Sequence, residues 1–236
     1  MRLDKYLCET QGVSRSIAGS MVKKGRISVN GQQAKSASIK VKNGEDLITL
    51  DGDKIEHSSG FRYYMMHKPE GVVCANQDSE HTIVFDIMPD IKNKKDLHTV
   101  GRLDKDTTGL LFITDDGQWS HIMTSPKHDH TKTYRTWLAE PLVQNAESEC
   151  ETGILLNNET HPTKPALLKR ITDTEVLLTI SEGRYHQVKR MFAALGNRVV
   201  KLHRESFSDI ALDSSLAPGE YRELSPQEKQ RLKIQS

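Results

Sequence analysis

Long apolar runs are missing from this sequence. Leu110 to Ile113 is among the longest, far short of the about 20 residues that a membrane-crossing helix needs, so no span is expected. Cysteine is scarce. Cys8, Cys74 and Cys150 are odd in number and too far apart for a C-x-x-C pair, which argues against a disulfide framework and against a thiolate zinc site; we expect reduced, structural thiols. The start, Met1-Arg2-Leu3-Asp4-Lys5, has neither the apolar stretch nor the small-residue cleavage site of a signal peptide. A cytoplasmic protein is therefore expected. Charge of one sign is not in excess: 33 Lys/Arg against 32 Asp/Glu give +1, which taken alone disfavours a polyanionic partner. Internal repeats and low-complexity tracts are absent. With 36% hydrophobic and 28% charged residues, the 236-residue chain has the composition of a folded globular protein of one or two domains.

The near-zero net charge hides an uneven distribution. Residues 1–42 carry nine Lys/Arg against only Asp4 and Glu9, a basic module on a more neutral body. In that module Leu3, Tyr6 and Leu7 have helical spacing. Ser14 can cap a second helix whose apolar stripe is Ile17, Ala18, Met21 and Val22, with Gly25 as its stop. Ile27-Ser28-Val29 runs into Asn30-Gly31, and Val41-Lys42 runs into Asn43-Gly44, both hairpin signals. Residues 1–56 thus read as a self-contained α/β unit, 57–61 as a polar linker and 62–236 as the body. The body is mostly strand: 62–67, 98–103, 110–114, 132–138 and 175–180. A helix is expected over 117–124, and another over 186–195, where Val188, Met191, Phe192 and Leu195 follow i, i+3, i+4, i+7 before Gly196. Ser225-Pro226-Gln227-Glu228 reads as a capping box with proline at the first helical position. Strands with interspersed helices predict an α+β body with a largely antiparallel sheet.

Three segments could carry chemistry. Gly101-Arg102-Leu103-Asp104-Lys105-Asp106-Thr107-Thr108-Gly109 places two carboxylates, two hydroxyls and two glycines in one connection, more than a turn requires. It fits a tight loop whose Asp and Thr bond their own backbone. It also fits the D-x-D-x-T pattern of magnesium-dependent phosphotransferases, with Asp104 as nucleophile, although Arg102 interrupts the strand and the chain lacks a βα rhythm. Glu182-Gly183-Arg184-Tyr185-His186-Gln187-Val188-Lys189-Arg190-Met191 feeds a glycine turn into an amphipathic helix whose N-terminus suits phosphate. From Lys164 to Arg204 nine Lys/Arg face only Asp173, Glu175 and Glu182, which favours a polyanion groove. Lys132-Thr133-Tyr134 follows the turn His128-Asp129-His130; a Tyr in a strand is ordinarily packing, and no H-E-x-x-H or comparable ligand set marks a metal site.

Taken in order, these segments resemble a known family. Gly101-Arg102-Leu103-Asp104 with Thr107-Thr108-Gly109-Leu110-Leu111, preceded by Lys68-Pro69-x-Gly71-Val72 and followed by Lys132-x-Tyr134 and Glu182-Gly183-Arg184-x-His186-Gln187-Val188-Lys189-Arg190-Met191, is similar to pseudouridine synthases of the ribosomal small-subunit synthase A group. The basic N-terminal unit resembles an S4 RNA-binding domain. The resemblance implies an enzyme that isomerises one uridine of 16S ribosomal RNA, free or in a small-subunit assembly intermediate, detaching the base at N1 and rejoining it through C5 without a cofactor. A monomer is the default expectation, and the short apolar runs predict no membrane partner.

Carried onto this chain, the resemblance makes Asp104 the essential carboxylate. Attack on ribose C1′, attack on the uracil ring and removal of a ribose proton to give a glycal all remain open to it. Arg184 is its implied partner, a guanidinium opposite Asp104 that would lower its pKa and orient it. Tyr134 would stack on the uracil and serve as base toward C5, a second role that a phenol with an ordinary pKa of about 10 fills only in a perturbed environment. Arg102 would support the flipped nucleotide, and Leu202 would pack beneath the ring. Lys68, His186, Gln187, Lys189 and Arg190 are expected to contact RNA in the body, and Arg2, Arg15, Lys23, Lys24 and Arg26 in the basic unit. One departure stands out: after Arg204 the family often has a glycine pair, where this chain reads Ser206-Phe207-Ser208-Asp209-Ile210. A non-catalytic ribosome-assembly factor of S4 type, in which Asp104 is only a loop residue, is the competing reading.

Overall fold

The computed structural model describes residues 1–11, 13–42, 45–55, 60–91 and 94–234. It divides into two compact units, Met1–Phe61 and Arg62–Ser236. Most of the expected linker, residues 57–59, and the expected Asn43-Gly44 turn lie outside the described residues.

In the first unit, helices α1 (Leu3–Gln11) and α2 (Arg15–Lys23) precede a four-stranded antiparallel sheet of β1 (Ile27–Val29), β2 (Gln32–Gln33), β3 (Ile48–Leu50) and β4 (Asp53–Lys54), in the order β2-β1-β3-β4. Leu3, Tyr6 and Leu7 bury the predicted face of α1 together with Ala18 and Val22 of α2. Ser14 caps α2 by accepting from the Ile17 N–H. Ile17 itself is half exposed, so the stripe is narrower than its sequence suggests. The predicted hairpin turn forms with positive φ at both Asn30 and Gly31.

The second unit is built on a nine-stranded sheet. Its strands are β5 (Tyr63–Lys68), β6 (His98–Thr99), β7 (Thr107–Thr114), β8 (Lys132–Leu138), β9 (Leu167–Arg170), β10 (Glu175–Ile180), β11 (Val199–Phe207), β12 (Ile210–Ala211) and β13 (Tyr221–Glu223). The order is β13-β5-β7-β11-β8-β10-β9, with β12 on β11 and β6 on β7. Among the described strands only β7 and β11 pair in parallel, so the antiparallel α+β expectation holds. Helices α3 (Gly117–Thr124), α4 (Ala146–Thr152), α5 (Gln187–Ala194) and α6 (Pro226–Arg231) complete the unit. None of the described helices is long and apolar enough to cross a membrane.

Both faces of the central strands are covered. On β7, Leu111 and Ile113 join the core containing Val188, Met191 and Phe192 of α5, while Leu110 and Phe112 join the core of Trp119, Met123 and Leu232. That two-sided burial explains the unbroken run Leu110–Ile113, each such side chain contributing about 1.5–3 kcal/mol. The α6 capping box forms as read, with Ser225 Oγ accepting from Glu228 N–H and the Glu228 carboxylate accepting from Ser225 N–H.

Two expectations fail. Residues 100–106 are loop, so the predicted strand over 98–103 shrinks to β6, whereas β7 starts three residues earlier than expected, at Thr107. The nine-residue strand β11 has no clear strand signal in the sequence, because its inward positions include the charged Arg204, 2% exposed, which breaks the alternation of apolar residues. The chain's departure from the glycine pair is accommodated at the β11–β12 turn, where Ser208 takes φ +50.

Gly109 shows why this sheet needs a glycine in the motif. Its φ is +109, and a Cβ there would lie 2.3 Å from the Arg204 carbonyl oxygen on β11. Gly109→Ala should destabilise the protein by about 2–5 kcal/mol, measured by denaturant unfolding; unchanged stability would contradict this packing.

Candidate active site

Asp104 lies in the loop between β6 and β7, and the end of β5 fastens that loop. Lys68 is fully buried, and its Nζ donates to the carbonyls of Thr107 (2.8 Å), Pro69 (2.9 Å) and Lys105 (3.5 Å). Gly71 N–H donates to the same Lys105 carbonyl, and Thr107 N–H closes the turn on the Asp104 carbonyl at 3.1 Å. Leu103 N–H donates to Cys74 Sγ. The Lys-Pro-x-Gly segment is thus the mount of the Asp104 loop. Burial lowers the Lys68 pKa, and saturated carbonyl acceptors hold the ammonium in place. Lys68 is therefore not available to RNA, contrary to expectation.

The opposite wall comes from the glycine turn before α5. Glu182, nearly buried, accepts from Gln187 Nε2 (3.0 Å), Lys164 N–H (3.0 Å) and Arg184 Nε (3.3 Å), while Gln187 Oε1 accepts from Arg184 N–H. This closed set of bonds fixes the turn and buries Gln187 at 4% exposure, so Gln187 too is structural. Arg190 commits its guanidinium to Glu159, the Tyr185 carbonyl and the Asn157 carbonyl, bracing a loop where a nucleic-acid contact was expected.

The partner of Asp104 also differs from expectation. Arg184 directs its fork at the His161 and Pro162 carbonyls and at Glu182 and Glu159. Its ion pairs among the described residues do not include Asp104. Asp104 is met instead from α5: Lys189 Nζ lies 3.1 Å from its Oδ2 and 2.6 Å from Asp106 Oδ1, and His186 Nε2 lies 3.4 Å from its Oδ1. His186 takes φ +48 at the helix N-cap, which turns its ring toward the carboxylate. Burial works against the Lys189 charge, but Asp106 and Asp104 outweigh it and raise its pKa. Burial likewise opposes the Asp106 charge, and Lys189 pulls that carboxyl below its ordinary value.

Asp104 stands where two clefts join. The smaller, about 100 Å³, is lined by Asp104, Tyr134, Ile180, Arg184 and Leu202 among others; the larger, about 580 Å³, shares Arg102, Asp104, Tyr134 and Arg184 and extends to Lys132 and Arg204. Tyr134 pairs with Arg204 across β8 and β11, and Leu202 with Thr136, so the sheet sets Tyr134 and Leu202 on one face. Arg102 is exposed at the cleft and has no hydrogen-bond or ion-pair partner among the described residues. Tyr185, 71% exposed, stacks on the His186 ring at 3.8 Å. In the basic unit Arg15, Lys23 and Lys24 are exposed, whereas Arg2 is paired with Asp4 and Arg26 with Asp51.

A carboxyl group, a tyrosine and an apolar floor around a ring-sized cleft fit the expected chemistry, and comparison with known proteins decides the family. The family model for RNA pseudouridylate synthase matches residues 62–194, and that for the S4 domain matches residues 1–48. The chain belongs to the RNA pseudouridylate synthase family. It is 50% identical to the ribosomal small subunit pseudouridine synthase A of Vibrio cholerae, over 97% of each chain, and 49% identical to that of Escherichia coli, over 97% of this chain and 98% of the relative. A crystal structure of a pseudouridylate synthase superposes with a TM-score of 0.71 at 47% identity, covering 98% of this chain and 99% of the other.

The phosphotransferase reading of this synthase falls on two counts. The sheet is antiparallel outside β7–β11, and Lys189 sits between the two carboxylates that such a reading would give to magnesium. The mounting role of Lys68 was hidden because one buried lysine looks like any basic residue in a sequence. Lys68→Met should speed hydrogen exchange at the Gly71 and Thr107 amides about tenfold or more, as about 1–3 kcal/mol of loop stability is lost when the carbonyls are left without a donor; unchanged exchange would contradict the mount.

Proposed function

We propose that this synthase converts one uridine of small-subunit ribosomal RNA to pseudouridine, acting as a cytoplasmic monomer with Asp104 as the catalytic carboxylate. The relatives' names support the small-subunit RNA substrate, and the matched S4 domain supports RNA as the partner. The observation that carries the site assignment is the position of Asp104 at the junction of the two clefts, held by Lys189 and His186 beside Tyr134 and Leu202.

In this reading the target nucleotide leaves the RNA stack, a step that costs roughly a few kcal/mol, and enters the smaller cleft. Leu202 supports the ring from below, Tyr134 stacks on it, and exposed Arg102 supports the flipped nucleotide; the proton that C5 loses is matched by the one that N1 gains. Lys189 orients Asp104 and stabilises its charge, so that the carboxylate is ready when N1 parts from C1′ and C5 replaces it. Arg184 fixes the wall opposite by tying the glycine turn to the His161 and Pro162 carbonyls. Residues 1–56 supply sequence-independent phosphate contacts through Arg15, Lys23 and Lys24, with Arg2 and Arg26 exchanging their Asp partners for phosphate. Selectivity arises because one folded RNA has to satisfy both units at once.

Asp104→Asn should lower tritium release from C5-labelled uridine in a small-subunit rRNA transcript by about a thousandfold or more, with RNA binding retained. Wild-type release from the variant would return Asp104 to the status of a loop residue in a binding protein.

A further inference from the structure

The larger cleft holds two cations that the chemistry at Asp104 does not use. Lys132 of β8 and Arg204 of β11 line it together with Tyr134 and Phe207. The strand register pairs Tyr134 with Arg204 and Lys132 with Phe207, with a shift between Arg204 and Ser206, and the two cations meet at a shared ring. Both lie over the same ring, Lys132 Nζ at 5.0 Å and Arg204 Cζ at 5.3 Å from the Phe207 centroid.

Neither cation has a carboxylate partner among the described residues. Arg204, 2% exposed, donates Nε to the Leu110 carbonyl at 2.7 Å and leaves Nη2 buried without an acceptor. Lys132 gives one proton to the His130 carbonyl at 2.6 Å and has two more to donate. The acid that acts on it electrostatically, Asp129, is bound to Lys164 at 2.6 Å. Burial first, and then the Arg204 charge, pull the Lys132 ammonium down to about 8. His130, whose Nε2 is also buried without a partner, adds no negative charge. Two uncompensated cations in a partly desolvated cleft are unfavourable unless an anion joins them. A diester phosphate fits this need: one negative charge and two free oxygens, one for the Arg204 guanidinium, whose Nε is already given to Leu110, and one for the Lys point charge.

We propose that Lys132 and Arg204 bind a backbone phosphodiester of the RNA strand that carries the target uridine. The assignment rests on the synthase reading, because the same cleft contains Asp104 and Tyr134. Holding that phosphate fixes the ribose of the extruded nucleotide relative to the Asp104 carboxylate, a positioning task that phosphate contacts perform without reading sequence.

The test uses full-length protein and a small-subunit rRNA transcript, with binding measured between about 50 and 200 mM salt. Lys132→Gln and Arg204→Gln should each flatten the slope of log K against log salt by about 0.7–0.9, and Lys132→Arg should restore it. Folded glutamine variants with the wild-type slope overturn the proposal. Should those variants not fold, NMR titration of labelled lysine in the unsubstituted protein decides: transcript binding should carry Lys132 from about 8 into the ordinary lysine range near about 10.4. No movement, or an equal movement with inorganic phosphate alone, overturns the RNA assignment. Pseudouridine formed by wild type alongside unchanged slopes sinks the phosphate site only; a wild-type protein that forms none in this transcript sinks the synthase reading and the site with it.

Discussion

The ammonium of Lys189 between the carboxylates of Asp104 and Asp106 is the interaction on which the site depends. It joins two separately built walls: a loop mounted on buried Lys68 and a glycine turn closed by Glu182 and Gln187. Half-exposed ion pairs contribute only about 0–1 kcal/mol to stability in water, so this contact does little to hold the fold. Its value lies in aim. In the proposed function, RNA covering the cleft displaces water, so that the same charges interact in a lower dielectric and far more strongly with the carboxylate already oriented.

The sheet makes this arrangement durable. β7 and β11 lie side by side in parallel, close enough that only glycine fits at position 109, and the loop that ends in β7 carries Asp104 while β11 carries Leu202 and Arg204. β8, on the other side of β11, adds Lys132 and Tyr134. Three neighbouring strands therefore bring Asp104, Tyr134, Leu202 and the cation pair to one place, with cores on both faces behind them.

Much of this was legible from residues alone. Strands β8 and β10 and helix α3 have the bounds expected from the sequence, and the ordered motifs located the Asp104 loop, the tyrosine and the helix wall. What was not legible has a common cause. A buried charged residue looks like a surface one in a sequence, which concealed strand β11 through Arg204 and assigned Lys68 to RNA when it mounts a loop. Charge partners distant in sequence are equally opaque: Asp104 and Lys189 are brought together by the fold, and the resemblance pointed to Arg184, whose donors meet carbonyls and other carboxylates. Tyr185 stacked on His186 had no signal beyond its place in the motif.

Single-turnover rates of pseudouridine formation in Lys189→Met, Lys189→Arg and Arg184→Met proteins decide whether Lys189 or Arg184 orients Asp104. Lys189→Met should lose about 10- to 100-fold, the equivalent of one charged hydrogen bond, with most of the rate recovered in Lys189→Arg. A Lys189→Met enzyme that reacts at the wild-type rate while Arg184→Met does not would contradict the Lys189 assignment and give the partner's role back to Arg184.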